Sequence, residues 1–165
     1  MLLTLKMKRK AKPNITQKAV SSSIIDSILT EITVLNSDKI TLFSGEKLNA
    51  DRQKGLNGEV DFLIAHRKEA LELYKPIISI TEAKLDRAIE KSIAQAGTQM
   101  LGVRIFNQNY KVDISTIHGV VTNGRYWIFL KLQDNILYVD KQKDYSINDL
   151  SEILGILQLI INFYK

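Results

Sequence analysis

The seven residues Ile77 to Ala83, IISITEA, form a short β-branched run that opens after Pro76 and ends in Glu82 and Ala83, with Lys84 next. β-Branched side chains suit a pleated, buried surface, and a proline just ahead of such a run opens a strand without breaking its ladder. Side chains alternate along a strand, so Glu82 and Lys84 share a face while Ala83 points the other way, into the core. An apolar strand of a central sheet is thereby expected to end on a polar site. Taken alone, Glu-x-Lys is also what an ordinary same-face ion pair on a half-exposed strand looks like, so its meaning depends on what lies beside it.

The chain has 165 residues, the size of one domain with a single core, and residues 1–165 are read as one unit. No apolar run reaches the roughly 20 residues of a membrane-spanning helix, and the start of the chain turns basic too soon for a secretory signal. Residues 1–13 are read as a basic, partly disordered segment, no membrane partner is expected, and the expected compartment is the cytoplasm. There is no cysteine and His66 and His118 are the only histidines, so disulfides, thiolate chemistry and a multi-imidazole zinc site are excluded. Any metal site is built from oxygen ligands. The formal charge of +5 favours a polyanionic partner, though a solvated charged surface has the same composition.

Helical spacing of Ile15, Ala19, Ile24, Ile25, Ile28, Leu29 and Ile32 predicts one helix or two over Asn14–Asn36. The polar stretch from Ser44 to Gly58, with Asn57-Gly58 as a tight turn, reads as a long loop. Val60 to Ala65 reads as a strand, Lys68 to Lys75 as a charged connection, and Ile77 to Ala83 as a strand able to pair with the first in a hairpin. After the N-cap Asp86, the residues Ile89, Ile93, Ala96, Met100 and Val103 give the buried stripe of a helix over Asp86–Asn107. Thr116–Thr122 and Arg125–Leu132 flank Asn123-Gly124, read as a type I′ hairpin turn. Ile136–Asp140 is a further strand. Ser146 to Asp149 resembles a capping box before a last helix with Leu150, Ile153, Leu154, Leu157 and Ile161 on one side.

If the first two strands pair, Asp61 in LNGEVDFLIA approaches Glu82. Two carboxylates converging at strand ends repel unless a cation lies between them, and a hard divalent ion is held by such carboxylates, a backbone carbonyl and water. Ala83 can offer its carbonyl. Lys84 can orient or help deprotonate a metal-bound water and stabilise negative charge growing on a phosphate. Two acids and a lysine in this order make a phosphodiester hydrolysis site.

With Asp61 in GEVDFLIA followed by Glu82-Ala83-Lys84 in IISITEAK, the chain resembles the PD-(D/E)XK nuclease superfamily, and within it the nuclease domain of type I restriction motor subunits. Val60 stands where the motif's label has proline. The resemblance implies a restriction endonuclease-like α/β fold, a mixed central sheet flanked by helices in core order αβββαβ, and a Mg²⁺- or Mn²⁺-dependent endonuclease acting on DNA. Asp61 matches the first acid, Glu82 the second, and Lys84 the motif lysine. Glu31 matches an additional acid on the first helix, with Asp26 a rival there. Gln95 and Gln99, one turn apart in IAQAGTQM, match glutamines of the following helix, where they can bond a phosphate or hold Lys84; as surface helix formers they need no function. The hairpin GVVTNGRYWIFL is a further point of similarity. No GxxxxGK[ST] loop accompanies these motifs, so the motor half is absent.

Arg52, Lys54, Arg67 and Lys68 lie in loops beside this site, as nucleic-acid contacts or as plain surface charge. Trp127 and Phe129 are expected in the core, His118 as a core histidine, and His66 exposed. The last helix is apolar enough to be deeply buried or to form a homodimer contact. Strand alternation places Glu59 on the face of Asp61. RNA is a substrate the same chemistry permits, and the alternative to a nuclease is a non-catalytic nucleic-acid-binding or assembly module that keeps the fold.

Overall fold

The apolar run is indeed a strand, and its pairings generate the rest of the sheet. The computed structural model describes residues 17–66, 76–83 and 89–164, with side chains from residue 19 onward. In chain order these form α1 (Gln17–Leu35), β1 (Ile40–Asp51), β2 (Leu56–His66), β3 (Ile77–Ala83), α2 (Ile89–Asn109), β4 (Thr116–Thr122), β5 (Tyr126–Gln133), β6 (Ile136–Val139), β7 (Tyr145–Ser146) and α3 (Leu150–Phe163). The sheet runs β1-β2-β3-β4-β5-β6, with β7 pairing β5 beyond the path. Neighbours are antiparallel except β3 and β4, which are parallel, because α2 carries the chain back across the sheet between them. Residues 1–16, Arg67 to Lys75 and Lys84 to Ala88 lie outside the described residues, and with them the basic N-terminal segment, the charged connection and the Asp86 cap.

Burial divides the core into two layers. On one face Ile25, Leu29 and Ile32 of α1 and Ile153, Leu157 and Ile161 of α3 pack against a sheet layer that includes Phe62, Ile78 and Trp127. On the other, Ala96, Met100 and Val103 of α2 pack against Ile80, Ile117 and Leu130. The expected stripe of α2 therefore holds except at Ile89, the first described residue of the helix, which is 51% exposed. On α3, Leu150 likewise stands exposed at the first turn, and Leu159 and Phe163 form an exposed apolar edge beside the buried side.

Two turns differ from expectation. Ser44–Gly58 is no long loop: β1 and β2 pair from Ile40↔His66 to Asp51↔Leu56, and the reversal lies at Arg52–Gly55. Asn57-Gly58 sits inside β2, while Asp51 Oδ1 accepts the Gln53 and Lys54 N–H groups (3.0 and 3.3 Å) to shape the tip. In the β4–β5 hairpin Asn123 pairs with Tyr126, its N–H reaching the Tyr126 carbonyl at 3.3 Å, so the central residues are Gly124 and Arg125. Only Gly124 has positive φ (85°), the pattern of a type II′ turn with glycine first, not type I′. The two-residue turn with positive φ at both positions is Asp134-Asn135, between β5 and β6.

His118 is partnered as expected but only partly buried rather than in the core, with Nδ1 2.7 Å from the Tyr164 hydroxyl, which also lies 2.9 Å from the Thr116 carbonyl. His66 is half buried, not exposed, its N–H bonded to the Pro76 carbonyl at 2.9 Å. Burial, and then the Lys131 charge, lower the His118 pKa from 6.5 to about 4. Between those values the unfolded chain binds a proton that the folded chain refuses, so stability rises with pH across this window and is lost on acidification. His118→Gln is expected to flatten this dependence by roughly 2–3 kcal/mol, read as the wild-type-minus-variant difference in urea unfolding free energy between neutral and acidic pH. Equal pH slopes for the two proteins would show that His118 is not held neutral.

Candidate active site

The site begins with register. Phe62 pairs Thr81 across β2 and β3, and one further step along that register sets Asp61 opposite Glu82. On its other side, β2 pairs with β1 through Ser44↔Phe62 and Glu46↔Val60, leaving Asp61 level with Gly45, which has a positive φ of 64°. Val60 packs in the α2 layer and Phe62 in the α1–α3 layer, so the two-residue alternation breaks at Asp61. The expectation that Glu59 and Asp61 share a face, which rested on unbroken alternation, does not carry across this point.

Asp61 turns toward the end of β3, where its Oδ2 accepts the Ala83 N–H at 2.7 Å. A strand-end N–H that would otherwise need water is thereby satisfied, and the carboxylate is fixed in place. Ala83 packs its methyl toward the α1–α3 layer, as alternation requires. Glu82 points to the opposite face and is only 2% exposed. Its carboxylate lies between two amides of α2: Gln95 Nε2 donates to Oε1 at 2.7 Å and Gln99 Nε2 to Oε2 at 2.9 Å. The one-turn spacing that put both glutamines on one helix face lets each take one oxygen. The amides thus hold Glu82, a partner the sequence had not singled out. The Gln99 Oε1 atom is buried and has no hydrogen-bond partner among the described residues.

The remaining candidates lie elsewhere. Glu31 and Asp26 are exposed on α1, which covers the face opposite α2. Among the described residues no three histidine, aspartate or glutamate side chains gather as a metal-binding group, so Glu31 does not join Asp61 and Glu82. Arg52 and Lys54 are exposed at the β1–β2 tip, beyond the ~17 Å of strand that separates Asp61 from Leu56 at ~3.3 Å per residue. Lys84, Arg67 and Lys68 fall outside the described residues.

Oxygen donors of this kind suit a hard divalent cation. Asp61 presents its carboxylate from β2 and Glu82 presents its own beside it at the end of β3, donors of the type a hard divalent ion takes. Asp61, Glu82 and the Ala83 carbonyl are the residues that would hold it.

No family model matches the chain, and no curated protein matches it in sequence. Among solved structures, the type IIG restriction endonuclease BpuSI matches with a TM-score of 0.64 and 15% identity over 98% of this chain. The match covers 19% of BpuSI, so this chain spans about a fifth of that protein's length. At this identity the likeness concerns architecture: the chain has a restriction endonuclease-like α/β fold, a mixed central sheet flanked by helices.

Proposed function

We propose that the chain is a Mg²⁺- or Mn²⁺-dependent nuclease that hydrolyses phosphodiester bonds of DNA. The observation that carries this reading is the paired restraint of two carboxylates at the ends of adjacent strands: Asp61 on the Ala83 N–H and Glu82 between Gln95 and Gln99. Structural likeness to a restriction endonuclease and the net positive charge support it. Asp61, Glu82 and the Ala83 carbonyl hold the ion, which when bound supplies Lewis acidity toward phosphate and a more acidic water. Lys84 serves the attacking water and the growing negative charge. Gln95 and Gln99 are positioning residues, acting through Glu82. A homodimer through the exposed Leu159–Phe163 edge of α3 belongs to the same proposal.

Plasmid cleavage in Mg²⁺ or Mn²⁺ tests this, with Asp61→Asn and Lys84→Ala as controls; cleavage surviving both substitutions would falsify the site. Replacing Gln95 and Gln99 together by leucine is expected to cut the Mg²⁺-supported rate about 10- to 100-fold and to raise the Mg²⁺ concentration for half-maximal cleavage. A loss of rate at unchanged Mg²⁺ dependence would place the glutamines outside metal positioning.

One observation favours a second reading, a nucleic-acid-binding or assembly module without catalysis: Glu82 is buried with both oxygens already accepting amides. Calorimetry separates the two, since a pure binder takes up no divalent ion that Asp61→Asn removes.

A further inference from the structure

The β1–β2 hairpin reaches past the body of the sheet as a two-stranded ribbon with unlike faces. One face is seated on α2. Leu48 and Leu56 are buried there, and Gly102 of α2 admits the ribbon closely: a Cβ at Gly102 would lie 3.3 Å from Leu48 Cδ2 and 3.9 Å from Leu56 Cβ. Asn109 at the end of α2 adds a bond from Nδ2 to the Ala50 carbonyl at 3.3 Å. The ribbon is therefore braced along its length.

Its other face is polar and exposed. Register sets Lys47 across from Glu59 and Asn49 across from Asn57, and the tip carries Arg52, Gln53 and Lys54. Neither amide side chain makes a hydrogen bond to a described residue. The Lys47–Glu59 pair leaves the middle of the face nearly neutral, while Arg52 adds a cation at the end; Lys54 is 3.6 Å from Asp51. A surface of two adjacent amides with cations beyond them matches the edges of bases flanked by phosphates. Asparagine pairs with adenine N6 and N7, and arginine or lysine contacts phosphate or guanine.

We propose that this ribbon is the element by which the chain enters the major groove of duplex DNA, with Asn49 and Asn57 on base edges and Arg52 and Lys54 on the flanking phosphates. The proposal rests on the nuclease reading and adds to it the source of sequence preference. Two strands with their side chains measure about 10 Å across, and the B-form major groove is ~12 Å wide. The groove of an RNA duplex is too narrow for a ribbon to read. Asn57 lies four residues before Asp61 and the tip several further, so contacts fall about four to eight base pairs from the cut at ~3.3 Å per residue and ~3.4 Å per base pair.

The test uses the full chain in EDTA, with selection from a random-sequence duplex pool followed by fluorescence anisotropy. Enriched sequences are expected to carry adenine at one or two positions. Asn49→Ala/Asn57→Ala is expected to erase that enrichment and to weaken binding of the selected duplex about 10- to 100-fold. Arg52→Ala/Lys54→Ala is expected to weaken all sequences alike and to reduce the slope of log affinity against log salt by about 2. All four positions are exposed, so thermal midpoints should stay within a few degrees. Binding by the unaltered chain that neither double variant changes, or equal affinity for an RNA duplex, overturns the groove assignment alone. Failure of the unaltered chain to bind or cut DNA with or without Mg²⁺ overturns the nuclease reading and this one together.

Discussion

Asp61→Asn is expected to lower Mg²⁺-supported DNA cleavage by about 10³-fold or more, equivalent to roughly 4 kcal/mol of transition-state stabilisation, while moving the thermal midpoint in EDTA by only a few degrees. Asn keeps the size of the side chain and an oxygen that can still accept the Ala83 N–H, so the strand-end bond at 2.7 Å survives in neutral form. Neutralising the acceptor weakens that bond by about 1 kcal/mol. Register sets Asp61 next to Glu82, and removing one of two neighbouring negative charges offsets part of that loss. What is lost is charge for a divalent ion. A ligand that binds only the folded state stabilises it by RT ln(1 + [L]/Kd), about 2.7 kcal/mol at a hundredfold excess over Kd. The wild-type midpoint should therefore climb with Mg²⁺ and the variant's should stay flat. A variant that still cuts at a tenth of the wild-type rate, or a wild type whose melting ignores Mg²⁺, would remove Asp61 from the metal site.

What could be read in advance follows from how strongly each residue's environment is local. β3 was legible because it is buried on both faces, which forces a β-branched apolar run, and because a charged residue at Glu82, still buried, breaks that run at the strand's end. The pairing that brings Asp61 to β3 was legible from strand order alone. The β1–β2 ribbon was not, since only Leu48 and Leu56 of its outer part need to be apolar and the other positions read as loop. Its support comes from α2, more than 30 residues away in sequence, and Gly102 gives no local sign of that contact. The turn at Asn123 was misjudged by one residue because Asn suits two roles: here its Oδ1 accepts the Arg125 and Tyr126 N–H groups, leaving Gly124 to supply the positive φ. The clamp on Glu82 sits between these extremes. The spacing of Gln95 and Gln99 put them on one helix face, but which face met Glu82 depended on how α2 crosses the sheet. Glu31 was carried by likeness to a family pattern, and the packing of α1 on the far layer leaves it apart from the acids it was expected to join.

Trp127→Ala is expected to produce the converse phenotype, a large loss of stability with the site's chemistry intact. Trp127 is 1% exposed in β5, within the α1–α3 layer, and its indole N–H reaches the Gly124 carbonyl at 3.3 Å. Truncation removes the transfer energy of the ring and leaves a cavity that a sheet packed under two helices cannot close, so the cost is about 3–5 kcal/mol. For a domain of this size the midpoint should fall by roughly 6–20 °C. Trp127→Phe keeps most of the volume and loses the single N–H bond, so its cost should be about 1–2 kcal/mol. Circular dichroism is the measurement, because the chain has one tryptophan and the variant loses its fluorescence. Trp127 also lies in register with Thr122, which in turn pairs Ala83, so one row of the sheet runs from the indole to the backbone that anchors Asp61. That row is held by main-chain bonds the substitution leaves in place. Below its midpoint the variant should therefore keep its Mg²⁺ response, and any loss of cleavage should track the unfolded fraction. A fall in midpoint under about 3 °C would show that the layer relaxes around the missing ring, and lost cleavage in a fully folded variant would show that the row transmits its packing to the carboxylates.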